Sequence, residues 1–269
     1  MYGLGFGAFR HAMIGSLGGG ANGALTTAWI SATGETDPTI IGALNTLETD
    51  LTTYGLTSKM KALYPFVGGT SAKHKFNFMD ARDLDVAFRL TFSGGWIHAS
   101  TGSTPNGVNA FANTYLIPST SLSQNNAGMG FYNRTNTSYA GAHGTRFSNN
   151  FEIFPRWTDG SFYCYINDSG AGFGGAIAGS NGFIQGSRTG SNSIRLNRNT
   201  TQNTGTQTST GVPIGSLWIG ASNSNNITGI YFDNRELALF YISEGFNNTE
   251  MQNLYTAVQA FQTTLGRQV

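Results

Sequence analysis

The chain is nearly free of cysteine and poor in charge. Its one cysteine, Cys164, excludes an intrachain disulfide. Its place in the alternating run Ser161 to Ile166 predicts a buried, inert thiol. Charged residues make up 11% of the 269, and the net charge is +1. The few basic residues are scattered, so the clustered basic footprint of a nucleic-acid binder is missing and no nucleic-acid partner is expected. No apolar run reaches the about 18 residues of a membrane-spanning helix, which predicts no membrane insertion. Arg10 and His11 interrupt the apolar N-terminus, so it does not read as a secretory signal. His11, His74, His98 and His143 lack metal-ligand spacing, and there is no Gly-x-Ser-x-Gly elbow, so neither a cofactor nor a nucleophilic enzyme is expected.

Polarity comes instead from Asn, Ser, Thr and Gly, a surface that hydrogen-bonds without strong fields. Residues 1–30 read as a Gly-rich assembly arm. Its Leu4, Phe6, Phe9, Met13 and Ile14 would order against a neighbouring chain, and no Walker Lys-Ser/Thr pair follows to make a phosphate loop. A helical connector is expected over 31–60. Within it Asp37 reads as N-cap and Pro38 as first helical residue, Ile40, Ile41, Leu44, Leu47, Leu51 and Tyr54 recur at helical spacing, and Gly55 stops a helix near 37–54. From 61 onward short β runs alternate with Gly/Asn/Ser/Thr turns: 61–66, 74–79, 84–92, 108–116, 127–133, 151–157, 161–167, 182–188, 193–198, 216–220, 228–233 and 236–242. Thr158-Asp159-Gly160 reads as a hairpin turn. A last helix near 248–265 starts on Asn247 with Glu250 three residues on. The pattern predicts an all-β sandwich or jelly roll.

The phrase Leu217-Trp218-Ile219-Gly220, the strand Leu237 to Ile242 and the capped terminal helix together resemble the end of concanavalin A-like (laminin G-like) jelly-roll domains. The resemblance implies that fold over 61–269, and a protein that recognises glycans or builds assemblies. Further phrases are similar to a group of tailed-bacteriophage virion proteins: Leu63 to Thr70, Lys75 to Phe78, Ala87 to Leu90, Gly95-Trp96, Pro105 to Ala110 and Phe261 to Val269. That likeness implies a non-enzymatic virion component, as head decoration, fibre or tail part, made and folded in host cytoplasm. Its partners would be other virion proteins, copies of itself in a homo-oligomer and host cell-surface glycan. A host-glycan adhesin as main role and a polysaccharide-degrading enzyme are the alternatives.

Glycan binding calls for aromatic faces with Arg, amide and hydroxyl donors beside them. Trp96, Tyr132, Arg134, Tyr139, Trp157 and Arg188 fit by type, with Tyr163 as a further aromatic, while Trp218 reads as core. A glycosidase would need two carboxylates flanking one bond. The acids close in sequence are Asp80, Asp83 and Asp85, with Asp233 and Glu236 farther on. The first three read as a solvated turn, with hard-cation ligation as the weaker alternative.

Overall fold

A computed structural model describes residues 21–170 and 172–269; the five apolar arm residues from Leu4 to Ile14 lie outside them. Two mainly antiparallel sheets form a sandwich. The first runs Thr204–Thr206, Ser193–Arg198, Gly182–Gly190, Ala127–Asn133, Leu237–Ser243, Gly102–Pro105 and Trp96–Ala99, with Met60–Tyr64 also paired to Leu237–Ser243. The second runs Phe173–Ala176, Ser161–Asp168, Asn149–Phe154, His143–Phe147, Trp218–Ile219, Phe111–Asn113 and Thr91–Ser93. Ser222–Ser224 adds to His143–Phe147 in parallel and carries Thr228–Ile230 on its other side.

Alternation along the central strands builds two cores. Phe131 faces Ile184 on one neighbour and Phe240 on the other, and these side chains point between the sheets. Phe151, Ile153, Cys164 and Ile166 meet them from the second sheet. The intervening residues Tyr132, Phe183, Leu239 and Tyr241 point outward from the first sheet. That outer face is covered by Leu44, Leu47 and Leu51 of helix Pro38–Thr53 and by Met251, Leu254, Val258 and Phe261 of helix Asn248–Thr264. The molecule therefore has three layers: helices, first sheet, second sheet.

Both long helices begin as their sequences predict. Asp37 accepts from the amides of Thr39 (2.8 Å) and Ile40 (3.4 Å), and Asn247 and Glu250 form a reciprocal capping box. Residues 24–30 depart from the expected arm, because they begin a helix, Ala24–Thr33, whose Trp29 is fully buried. The Glu48 carboxylate caps that helix from a distance by accepting from the amides of Leu25 (3.0 Å) and Thr26 (2.9 Å).

The expected strand 74–79 is absent, and of 84–92 only the end forms a strand, Thr91–Ser93. His74 ends the helical turn Ser71–His74, and Asp85–Ala87 is a 3-10 turn. Phe76 and Phe78 are buried as an alternating strand would bury them, but the Asn77 side chain does the pairing: its Oδ1 accepts from Leu63 N (2.9 Å) and its Nδ2 donates to Ala87 O (3.0 Å). Conversely, Gly102–Pro105, His143–Phe147, Phe173–Ala176, Thr204–Thr206 and Ser222–Ser224 are strands written largely in small or polar residues, without the apolar alternation that marks a strand in sequence.

Candidate glycan-binding cup

Helices cover the outer face of the first sheet, which leaves the outer face of the second sheet for a ligand. A cleft of about 310 Å³ opens there, lined by Arg146, Phe154, Trp157, Asp159, Tyr163, Tyr165 and Tyr231. Pleating aims these residues. In Ser161–Asp168, Phe162, Cys164 and Ile166 point into the sandwich, so Tyr163 and Tyr165 share the opposite face. Phe154 follows from the same rule, since Phe151 and Ile153 point inward.

The hairpin between these strands supplies the rim. Gly160, at φ +84°, closes the turn; its amide donates to Trp157 O (3.0 Å), and Trp157 N donates to Ser161 O (2.7 Å). Asp159 accepts from Ser161 N (2.8 Å) and from the Tyr163 hydroxyl (2.7 Å). Those bonds, the hydroxyl's first, hold its carboxyl below its ordinary pKa. Tyr231 arrives from the far side, just past Thr228–Ile230, at φ +54°, a conformation that an aromatic residue adopts only when its surroundings impose it. The rings brace one another edge-on: Phe154 lies 5.1 Å from Trp157, 5.2 Å from Tyr231 and 5.9 Å from Tyr165, and Trp157 lies 5.5 Å from Tyr231.

Arg146 sits beside the rings, its guanidinium 5.4 Å from the Tyr231 centroid and 5.8 Å from that of Tyr165. Its Nε donates to Glu152 Oε1 at 3.0 Å, and Nη2 donates to the same oxygen. Glu152 is fully buried, and its other oxygen accepts from Ser222 Oγ at 2.6 Å. Burial raises the Glu152 carboxyl above its ordinary pKa, and the adjacent guanidinium limits that rise. The site is thus a rigid aromatic cup with an internally neutralised ion pair in its wall.

Of the residues marked in the sequence, Trp157 and Tyr163 reach the cup. Tyr132 is fully buried under the terminal helix, where its hydroxyl bonds Val269 and Gln259. Arg188 is a buried staple that donates to the carbonyls of Ile166 (2.6 Å), Ser191 (3.1 Å) and Gln207 (2.6 Å). Arg134 ties Glu236 to Arg267 O. The Tyr139 hydroxyl donates to Gly107 O (3.0 Å), and the Trp96 indole donates to Ser93 O and Phe111 O at a sheet edge. Each of these five gives polar atoms to the protein's own backbone or side chains, and none lines the cup. The turn acids are similarly engaged: Asp80 pairs with Arg82, Asp83 with Lys75 and Arg89, and Asp85 with Arg89. Asp233 is buried between Arg235 (2.6 Å) and His143 (3.1 Å). Among the described residues, no group of three His, Cys, Asp or Glu side chains is placed to hold a metal, and no helix is long and apolar enough to cross a membrane.

No protein-family profile matches the chain, and no curated protein matches it in sequence. Solved structures match the fold. A structure of botulinum neurotoxin type C, whose uptake into cells depends on interaction with two ganglioside molecules, aligns at TM-score 0.52 and 9% identity over 76% of this chain and 52% of the toxin chain. A point mutant of the chain designated HCR/D aligns at 0.50 and 8% over 75% and 52%. Domain 4 of the GH43 arabinanase AbnA from Geobacillus stearothermophilus, in complex with arabinotriose, aligns at 0.49 and 14% over 73% of this chain and 98% of that domain. This chain spans about half the length of the neurotoxin and HCR/D chains it matches. At such identities the likeness establishes a jelly-roll-like β-sandwich.

Proposed function

We propose that this chain is a non-catalytic glycan-binding β-sandwich whose sugar site is the cup of Trp157, Tyr163, Tyr165, Tyr231 and Arg146, and that it is displayed on a tailed-bacteriophage particle. The cup carries the first half of the reading. Braced aromatic walls offer flat apolar faces to the C–H side of a sugar ring. The Tyr163 hydroxyl, Asp159 and Arg146 stand at the rim and wall to meet hydroxyls. The neurotoxin's dependence on gangliosides, which are sugar-bearing lipids, is in keeping with such a role for this sandwich. A hydrolytic role is disfavoured by the state of the two carboxylates at the cup, since Glu152 is sealed beneath Arg146 and Asp159 is held ionised at the rim. The particle location rests on the sequence phrases from Leu63 to Val269 that resemble virion proteins.

The full chain applied to a glycan array is expected to bind a restricted set of sugars. Trp157→Ala is expected to weaken that binding about tenfold or more while the far-ultraviolet spectrum stays unchanged, since Trp157 is a partly exposed hairpin residue. An array that stays blank, or binding indifferent to Trp157→Ala, would remove the cup as a sugar site.

A further inference from the structure

Resting on the reading of the cup as a sugar site, we infer that it selects neutral sugars and turns away acidic ones. A lone arginine in an aromatic pocket invites the opposite expectation, because a guanidinium is the usual receptor for a carboxylate. Here the charge is already committed. Arg146 grips Glu152 Oε1 through Nε and Nη2, and Ser222 holds the second oxygen at 2.6 Å. Because Glu152 is fully buried, releasing Arg146 to an incoming anion would strand a carboxylate in a low-dielectric wall. The two rings beside the guanidinium, at 5.4 and 5.8 Å, further fix it in place. Nη1 lies outside the pair with Glu152 and suits a neutral hydroxyl.

The charge left over belongs to Asp159. Its partners, the Tyr163 hydroxyl and the Ser161 amide, are neutral, and Arg146 is the one cation among the lining residues. Arg146 and Glu152 cancel, so the lining and its sealed counter-ion carry the single negative charge of Asp159. An acidic sugar entering the cup would meet the charge of Asp159 at the rim and no uncommitted guanidinium among the lining residues. A neutral ring meets hydrogen-bonding groups and aromatic faces.

The test is an array or calorimetric titration of the full chain with matched glycans that differ by one carboxylate, such as a galactose-terminated oligosaccharide and its sialylated form. At low salt the neutral member is expected to bind at least tenfold more tightly. The gap is expected to shrink at high salt and, through tighter binding of the acidic member, in Asp159→Asn. Tighter binding of the acidic member, weakened by salt, would make Arg146 an anion receptor; it would overturn this inference and leave the glycan reading standing. Equal binding of the two members would also overturn it. Binding of neither by an otherwise blank array would remove both.

Discussion

At the scale of single residues, buried arginines of this protein hold loops and the chain's last residues to the sheets. Arg267 is the strongest case. Its guanidinium, 2% exposed as a residue, donates to Phe66 O (2.8 Å), Pro65 O (3.2 Å) and Ala238 O (3.1 Å), and its Nε donates to Gln262. It thereby pins the end of the chain to the loop after the first strand. Burial, reinforced by the like charge of Arg134, brings its pKa down to about 9. His74 is a titrating residue of the same kind. It is 1% exposed, its Nδ1 lies 2.9 Å from that of His98, and its ring packs edge-on against Phe66. Burial, then the charges of His98 and Arg267, lower its pKa to about 3. A histidine held neutral in the fold but free to protonate when unfolded withdraws stability as pH falls below about 6.5 and continues to do so down to about 3. Between pH 7 and pH 5 the loss from this group is about 2 kcal/mol. Urea unfolding at the two pH values should show the contribution of His74 as the difference between the parent chain and His74→Gln, the variant losing less stability between pH 7 and pH 5.

The element that matters most for function is the hairpin joining Asn149–Phe154 to Ser161–Asp168. It puts Trp157 and Asp159 on one rim, and Gly160 closes it at φ +84°. A Cβ at Gly160 would meet nothing closer than Arg156 Nη2 at 3.9 Å, so Gly160→Ala tests the backbone conformation and not a clash. The substitution is expected to destabilise by about 1 kcal/mol and to weaken sugar binding by misplacing Trp157, read by thermal melting and by the same titration. The hairpin and the two capped helices were legible because their signals are local: Asp-Gly at a turn, Asp-Pro at a helix start, Asn247 with Glu250. The strand His143–Phe147, which carries Arg146, was not. It is short, contains Gly144, and is held by pairing to Asn149–Phe154 on one side and to Trp218–Ile219 and Ser222–Ser224 on the other. Strand formation there is a consequence of register with distant segments, which local periodicity does not record.

For the whole molecule, layering decides which surface is free. The apolar faces of Pro38–Thr53 and Asn248–Thr264 cover one side of the first sheet, so the cup lies on the other side of the sandwich from the helices. Both cores are built from described residues. Near their start, Asn22 Oδ1 accepts from Asn45 Nδ2 at 2.5 Å and the Gly23 amide donates to Asn45 Oδ1 at 2.9 Å. Removal of residues 1–20 is therefore expected to shift the melting temperature by less than about 2 °C. On the particle reading, it is also expected to abolish incorporation when the truncated chain is supplied during phage growth. Quantification of the chain in purified particles checks this. Full occupancy by the truncated chain would overturn the assembly role of the arm, and absence of the intact chain would overturn the particle location.

The sequence by itself determined the all-β class, the sandwich, both long helices with their caps and the buried Cys164, because each depends on pattern or chemistry within a few residues. Tertiary structure alone decided which aromatics are free. Tyr132 and Trp157 look equivalent in sequence, yet one lies under the terminal helix and the other on an open hairpin. It also decided that Arg188 and Arg134 serve the backbone while Arg146 serves the cup, and that Tyr231 meets Tyr163 and Tyr165 across more than sixty positions of chain. The physical reason is pairing register: side-chain direction in a strand alternates, but which strand lies beside it, and what covers its face, is set by segments far away in the chain.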